Sequence, residues 1–146
     1  DHRDLHSFPT RRSSDLCGMT QATSLQAPAR NRAIGERGEA IAAAYLQSIG
    51  CEILARNWRF GRAGELDLVV REGDTVAAVE VKTRSGTGYG SPFEAITRRK
   101  TERLRTLLHG WVREHRPGVA KLRIDAVAVV LAADAAPRIE HLRGIE

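Results

Sequence analysis

Apolar and polar positions alternate through the middle of the chain, between residues 51 and 84. Three segments there, "CEILARNWRF", "GELDLVVRE" and "DTVAAVEVKTR", predict β-strands because each is rich in β-branched or aromatic residues and is bounded by turn residues. The turn Glu72-Gly73-Asp74 is short. We therefore expect the second and third strands to form an antiparallel hairpin.

Helical periodicity precedes these strands. Residues 33–49, "AIGERGEAIAAAYLQSI", predict a helix that ends at Gly50. At 100° per residue, one arc of this helix is apolar and comprises Ile34, Ile41, Ala42, Tyr45 and Ile49. Gly38 lies inside that arc, where glycine lowers helix stability, so we expect it to permit close approach of another segment.

A second helix is predicted to begin at Ser91 and to run to about His115. Ser91 caps it, Pro92 takes the first helical position, and Glu94 can close a capping box. Its apolar stripe comprises Phe93, Ile96, Leu104, Leu107, Leu108 and Trp111. Two further strands follow, "KLRIDAVAVVLA" and the short "PRIEHLR".

The resulting order, α-β-β-β-α-β-β, predicts an α/β domain with a mixed sheet flanked by helices. The hairpin is antiparallel, whereas the second helix can serve as a crossover to a strand parallel to one of the first three. Both a two-layer and a three-layer arrangement fit this order. No internal repeat or linker divides the sequence, so residues 31–146 are predicted to form a single domain.

The start of the chain differs from the rest. "DHRDLHSFPTRRSSDL" has neither helical nor strand periodicity and resembles translated sequencing-adapter sequence, which would make Met19 the native start. The alternative is a disordered native arm. We interpret residues 1–30 as a non-native or disordered segment.

Composition narrows the class of protein only moderately. Hydrophobic residues make up 42% of the 146 residues and charged residues 28%, which is typical of globular domains. No apolar run approaches the roughly 20 residues that span a bilayer. Two cysteines provide no disulfide framework, so a cytoplasmic location is the default expectation. The net charge of +5 favours a polyanionic partner, but weakly.

The hairpin strands carry acids on one face. Because strand side chains alternate, Asp67 is expected on the face opposite Leu66 and Leu68, and Glu80 shares a face with Lys82. If the two strands pair, their charged faces belong to one side of one sheet. The pattern also fits a solvated strand face with a weak ion pair.

Converging carboxylates repel each other, and a divalent cation removes that repulsion. Mg²⁺ or Mn²⁺ prefers such hard oxygen ligands. We predict that Asp67 and Glu80 bind the ion and that the backbone carbonyl of Val81 can reach it. Lys82 would orient a water, assist its deprotonation, or stabilise negative charge that develops at phosphorus.

Asp67 followed by Glu80-Val81-Lys82 resembles the PD-(D/E)xK nuclease superfamily, which has the restriction-endonuclease-like fold. The resemblance implies metal binding by Asp67 and Glu80 and phosphodiester cleavage that also needs Lys82. Glu39 resembles the additional acidic residue of the Holliday-junction-resolvase and RecB-like branches. Leu66 stands where many members have proline.

A wider resemblance covers about residues 31–143. The segments "GERGEAIAAAYLQSIGCEILARNWR", "GELDLVV" and "VEVKTR", the helix with Lys100 and the strand with Asp125 are together similar to the YraN-type family of small bacterial proteins. Five segments in the same order imply shared ancestry and a shared fold. Buried Asp125 is expected to pair with an arginine of a helix.

Basic residues are dense in and around the second helix. A solvated helix face explains them, and so does phosphate-backbone binding. The candidate nucleic-acid-binding residues are Lys100, Arg84, Arg37, Arg98 and Arg99. By the family pattern, Lys100 is the one nearest the site.

Two functional hypotheses follow. The first is a metal-dependent endonuclease that hydrolyses phosphodiester bonds in DNA, with branched or structured DNA as the substrate expected from Glu39. The second is a catalytically inactive module with the same fold that binds nucleic acid or recruits a partner. Cutting two strands at one junction would require two active sites, so a homodimer would suit the first hypothesis.

Overall fold

The computed structural model describes residues 20–86, 88 and 90–146, and residues 32–146 form one compact unit. The elements are α1 (Thr20–Ser48), β1 (Glu52–Phe60), β2 (Gly64–Glu72), β3 (Thr75–Ser85), a short 3₁₀ helix (Pro92–Ala95), α2 (Arg98–His115), β4 (Lys121–Leu131) and β5 (Arg138–Leu142). The predicted order α-β-β-β-α-β-β is confirmed.

The structure describes only part of the predicted N-terminal segment. Helix α1 begins at Thr20, ahead of the predicted start at residue 33, so residues 20–30 are helical. Residues 1–19, including the proposed start at Met19, lie outside the described residues. That residues 1–30 are a non-native or disordered segment therefore stays a prediction.

The five strands form one mixed sheet in the order β1-β2-β3-β4-β5. The pairs β1–β2, β2–β3 and β4–β5 are antiparallel, and β3–β4 is parallel over the register Thr75↔Lys121 to Ser85↔Leu131. A parallel pair requires a long crossover connection, which α2 provides. The predicted hairpin and crossover are both confirmed.

Helices cover both faces of this sheet. Of the two-layer and three-layer arrangements that the sequence allowed, the structure therefore has the three-layer one. On one face, Ala42, Ala43 and Leu46 of α1 pack with Val79 and Val127. On the other, α2 packs four large side chains against the sheet, and these are Leu104, Leu107, Leu108 and Trp111. All four belong to the predicted stripe. Within the described part of the chain, no helix is both long and apolar enough to cross a membrane.

The second predicted helix is interrupted, which corrects its start. Ser91 does cap a helix with a complete capping box, but that helix is the 3₁₀ turn Pro92–Ala95. Ile96 is then extended, and Thr97 caps α2 by accepting a hydrogen bond from the Lys100 backbone N–H. Because of this second cap, Lys100 lies in the first turn of α2.

Gly38 shows the close approach that its position predicts. A Cβ at Gly38 would lie only 1.8 Å from Oγ1 of Thr83 on β3. Any side chain there would force α1 or the Thr83 side chain to shift, since real Cβ atoms do not approach so closely. The contact fixes α1 against the part of β3 that carries Glu80 and Lys82, and it sets the position of the next helical residue, Glu39.

Candidate active site

The candidate site lies where β2 and β3 separate. The last backbone pair of their ladder is Leu68↔Val79. Beyond it, the N–H of Val81 donates to Oδ2 of Asp67 at 2.9 Å. A carboxylate thus replaces the partner strand as hydrogen-bond acceptor, and we call this point the strand fork. It brings Asp67 against the backbone next to Glu80.

Glu80 is buried at the fork, and its two carboxylate oxygens differ. The residue is 4% exposed. Its Oε1 lies 3.1 Å from Nζ of Lys82 and 3.1 Å from Nζ of Lys100, whereas Oε2 is buried without a hydrogen-bond partner among the described residues. A buried carboxylate oxygen without a partner is costly and calls for an explanation, such as an ion or a water that binds there.

The negative charge of Asp67 is also poorly compensated by its neighbours. Burial, repulsion by Glu80 and, to a smaller extent, the negative charge of Glu39 raise its pKa to about 7. The hydrogen bond from Val81 and the positive charge of Lys100 act in the opposite direction but do not prevail. Burial beside a second carboxylate therefore disfavours the ionised form of Asp67.

A cavity of about 480 Å³ opens beside the fork, between the β1–β2 hairpin and α2. We call it the site cavity. Its acidic lining residues are Glu39, Glu65 and Asp67. Its basic lining residues are Arg59, Arg62, Lys100 and Arg103. Acids lie next to the strand fork and cations around them, as a site for a metal ion and a phosphate requires.

The predicted site residues Glu39, Asp67, Glu80, Lys82 and Lys100 are thus brought together. Three of them line the site cavity, and Glu80 joins it through its ion pair with Lys100. Lys82 reaches the same carboxylate oxygen of Glu80. The backbone carbonyl of Val81 stays a prediction as a metal ligand.

The residues fit a divalent cation with few protein ligands. Oε2 of Glu80 has no partner, and Asp67 and Glu80 repel each other. Within the described residues, no group of three or more His, Cys, Asp or Glu is placed to hold a metal. Two carboxylates are nevertheless enough for Mg²⁺, which usually keeps several waters and takes further oxygens from a phosphate.

The other candidate nucleic-acid-binding residues are more dispersed. Arg84 donates to the carbonyls of Gly90 and Ser91 at 3.0 and 3.2 Å, and it lines a different cavity. Arg98 pairs with Glu102 at 3.3 Å. Arg37 and Arg99 are exposed, on α1 and at the start of α2. Of the five, only Lys100 lines the site cavity.

Two features of the site differ from the sequence interpretation. Leu66 and Leu68 do not share a core. Leu66 packs on the α2 side and Leu68 on the α1 side. The β1–β2 pair is irregular at this point, since Asn57, which lies between their partners Trp58 and Arg56, has a positive φ of 50°.

Arg103 and Arg59 were not among the predicted site residues. The spacing of Arg103, three residues after Lys100, puts it on the same side of α2 and could have indicated it.

Asp125 has different partners from those expected. The predicted partner was an arginine of a helix, but Arg123 of the same strand donates to it at 2.7 and 2.9 Å. Arg123 and Asp125 are two apart on β4, so they share a face. His141 lies 3.1 Å from the same carboxylate, and the Gly144 N–H donates at 3.0 Å.

This group extends to β2. Arg123 also donates to Glu72 at 2.7 Å, and Arg143 donates to the other oxygen of Glu72 at 3.2 Å. We call Asp125, Arg123, His141, Glu72 and Arg143 the Asp125 network. Burial raises the pKa of Asp125, but its hydrogen bonds outweigh burial, so the pKa lies below the usual value. The network therefore consists of partners that neutralise one another.

The comparisons with known proteins identify the family of the chain. A family model described as "Uncharacterised protein family UPF0102" matches residues 38–129. The chain belongs to this family. The segment matched by UPF0102 includes Glu39, the strand fork and Lys100. The YraN-type resemblance is thereby confirmed at the level of the family.

Similar proteins carry the same description. A UPF0102 protein of Rhodococcus opacus (strain B4) is 48% identical over 115 residues, which are 79% of this chain and 97% of the relative. One from Beutenbergia cavernae is 50% identical over 113 residues, 77% of this chain and 95% of the relative. One from Nocardia farcinica is 43% identical over 127 residues, 87% and 99% respectively.

Proposed function

We propose that this UPF0102 protein is a metal-dependent endonuclease of the PD-(D/E)xK superfamily that hydrolyses phosphodiester bonds in DNA. The observation that carries the proposal is the strand fork. There a buried glutamate has one oxygen without a partner and lies beside an aspartate that is hard to ionise, with two lysines in reach. A mixed sheet with a helix on each face agrees with a restriction-endonuclease-like fold.

Asp67 and Glu80 would hold the ion, Mg²⁺ or Mn²⁺, with Glu39 also lining the site cavity and close enough for its charge to raise the pKa of Asp67. When bound, the ion supplies Lewis acidity for the phosphodiester and for a water. The positive charge of Lys82, held at Glu80, stabilises negative charge that develops at phosphorus. Lys100, Arg103 and Arg62 supply positive charge to hold the DNA backbone in the site cavity.

The test is cleavage of a supercoiled plasmid and of a four-way DNA junction with Mg²⁺ or Mn²⁺. Lys82→Ala is expected to lower the rate by about 100-fold or more, the usual effect of losing one donor that stabilises transition-state charge. Lys121→Ala is the matched control, because Lys121 is exposed and its ion pair among the described residues is with Asp74, at 3.5 Å, away from the site cavity. Equal cleavage by wild type and Lys82→Ala would indicate a contaminating nuclease.

A second candidate function is DNA binding without turnover. Lys82 and Lys100 both pair with the same oxygen of Glu80, which is how a purely structural ion-pair cluster would look. This alternative predicts affinity that falls linearly with salt on logarithmic axes. It also predicts no metal-dependent cleavage and no stabilisation of the fold by Mg²⁺.

A further inference from the structure

A pair of stacked aromatic rings lies on β1 next to the site cavity. Trp58 and Phe60 are two apart on the strand, and their ring centroids are 5.5 Å apart at an interplanar angle of 22°. Both rings lie over Gly110 of α2, where an added Cβ would be 3.7 Å from Trp58 and 3.9 Å from Phe60. These are ordinary van der Waals distances, so both rings pack directly against α2 at this point.

The outer ring of the pair is open to solvent. Phe60 is 49% exposed, whereas Trp58 is partly buried and also makes an edge contact with His115. Single exposed apolar residues are common on protein surfaces, so exposure alone indicates nothing. The location of Phe60 is the informative feature, since it ends β1 at the hairpin that forms one wall of the site cavity.

The immediate neighbours of Phe60 belong to that wall. Arg59, Gly61 and Arg62 all line the site cavity. The turn is also fastened to α2, because Arg103 donates to the Ala63 carbonyl at 2.9 Å. Phe60 is therefore held beside the site cavity by a hairpin that is fastened to α2, and its chain neighbours Arg59 and Arg62 are cationic.

The charge around the ring selects one class of partner. Three guanidinium groups, of Arg59, Arg62 and Arg103, line the site cavity. In the described part of the chain, Glu65 pairs with Arg59 at 2.9 Å. Proteins that bind single-stranded nucleic acid combine such a basic groove with aromatic side chains on which bases stack. In a paired duplex, the face of each base is covered by its neighbours and cannot reach an aromatic ring.

We propose that Phe60 is a stacking platform for an unpaired nucleobase, whose neighbouring phosphate enters the site cavity. The inference rests on the proposed function and specifies its substrate class as DNA with a single-stranded arm or an unpaired base beside the scissile bond. Trp58 supports the ring from within, and the arginines hold the flanking phosphates.

A binding assay under conditions that do not support cleavage tests base stacking on Phe60 separately from the proposed nuclease activity. The full chain is titrated, in Ca²⁺ or in EDTA, with fluorescent DNA that has a single-stranded arm, and anisotropy gives the affinity. An abasic site is then moved along the arm one position at a time. An abasic nucleotide keeps its phosphate, so a loss of affinity at one position reports the base and not the backbone charge.

For the wild type, one abasic position is expected to weaken binding by at least about fivefold, since stacking on an aromatic side chain contributes about 1–3 kcal/mol per base. Phe60→Leu should weaken binding to intact DNA by a similar factor and should be insensitive to the abasic site. Phe60→Tyr should restore both the affinity and the sensitivity.

Matched controls exclude a general loss of the surface or the fold. Leu142→Ala removes an apolar side chain of similar exposure, 44%, on the opposite edge strand, and should change nothing. Binding of fully paired duplex should be the same for the wild type and Phe60→Leu.

The inference is overturned if Phe60→Leu binds the single-stranded arm as tightly as the wild type. It is equally overturned if the loss is the same for duplex, or if the variant instead changes the oligomeric state in sedimentation. A protein with Phe60-dependent binding that never cleaves DNA contradicts the proposed nuclease activity alone.

Discussion

Two acids on the strands that flank β3 have opposite surroundings. Asp125 on β4 is fully buried, yet hydrogen bonds from Arg123, His141 and Gly144 keep its pKa below the usual value. Asp67 on β2 is less buried, yet burial and the negative charges of Glu80 and Glu39 raise its pKa to about 7, because the hydrogen bond from Val81 and the positive charge of Lys100 do not offset them. The comparison teaches that partners, more than depth, decide whether a buried acid stabilises the fold or is available to a ligand.

Helix α1 contacts both regions. It contributes Glu39 to the site cavity, and Tyr45 reaches His141 of the Asp125 network at 3.5 Å. The two residues are six apart on one helix, so a movement of α1 would affect both regions. The contrast between Asp67 and Asp125 is therefore best tested by substitutions that affect either the strand fork or the Asp125 network, but not both.

The largest effect is expected from Asp125→Ala. Removing one partner of a buried ion pair leaves the others without compensation, and the free energy of unfolding should fall by about 3–5 kcal/mol. Urea denaturation at pH 7 measures it. A loss below about 1 kcal/mol would mean that the network contributes nothing to the fold. Asp74→Ala, which removes an exposed acid paired with Lys121, is the matched control and should be nearly neutral.

Asp67→Asn should act in the opposite direction. The pKa of Asp67 is raised in the folded protein, so the unfolded chain loses its proton first and stability falls as pH rises from about 4 to about 7. Asparagine avoids this cost and can still accept from Val81. We expect the variant to be more stable than the wild type by up to about 4 kcal/mol at pH 8, and equal to it near pH 4.

Thermal unfolding at several pH values checks the Asp67 prediction. A difference between the two proteins that does not change with pH would contradict it. The Asp125 network should show the reverse trend, because acids with a lowered pKa, here Asp125 and Glu72, lose their contribution as pH falls below about 4.

Metal binding should raise the free energy of unfolding, and this effect should depend on the carboxylates of the strand fork. If Mg²⁺ binds at Asp67 and Glu80, a concentration 100 times the dissociation constant raises the free energy of unfolding by about 2.7 kcal/mol. Calorimetric scans with and without Mg²⁺ should show the shift in the wild type but not in Glu80→Gln. A shift of equal size in Glu80→Gln would place the ion elsewhere.

The smallest effect is expected from Gly38→Ala. The new Cβ would collide with Thr83, and the repulsion should cost about 1–3 kcal/mol, more than the helix propensity gained from alanine. Thr83→Ala in the same chain should recover most of the loss, because it removes the colliding atoms. Denaturant titration of both single variants and the double variant measures the coupling. Additive losses would show that the two residues do not touch.

The sequence predicts the elements and their order well, because strand alternation and the Leu104–Trp111 stripe are local patterns. It also indicates Asp67, Glu80 and Lys82 as neighbours, since a hairpin with a short turn determines which residues face each other. It does not reveal that the β2–β3 ladder stops at Leu68↔Val79. That separation depends on packing against α1 and α2, which no local pattern encodes.

The Asp125 network could not be predicted from the sequence for a related reason. Its members come from β2, β4 and the C-terminal residues, and Glu72 and Arg143 are 71 positions apart. Charge pairs at such separations have no spacing rule. His141 likewise has no ligand-like neighbours in the sequence, and only the β4–β5 register, with Val127↔His141, brings it beside Asp125.

The edge strand β1 disfavours self-association through its outer side. The free edge of β1 carries the exposed residues Arg56 and Arg59. Two copies that joined their sheets through β1 would bring these cations together, and like charges across adjoining strands are destabilising. Aggregation through this edge is thereby discouraged. Any pairing of two molecules on one branched substrate would have to use another surface.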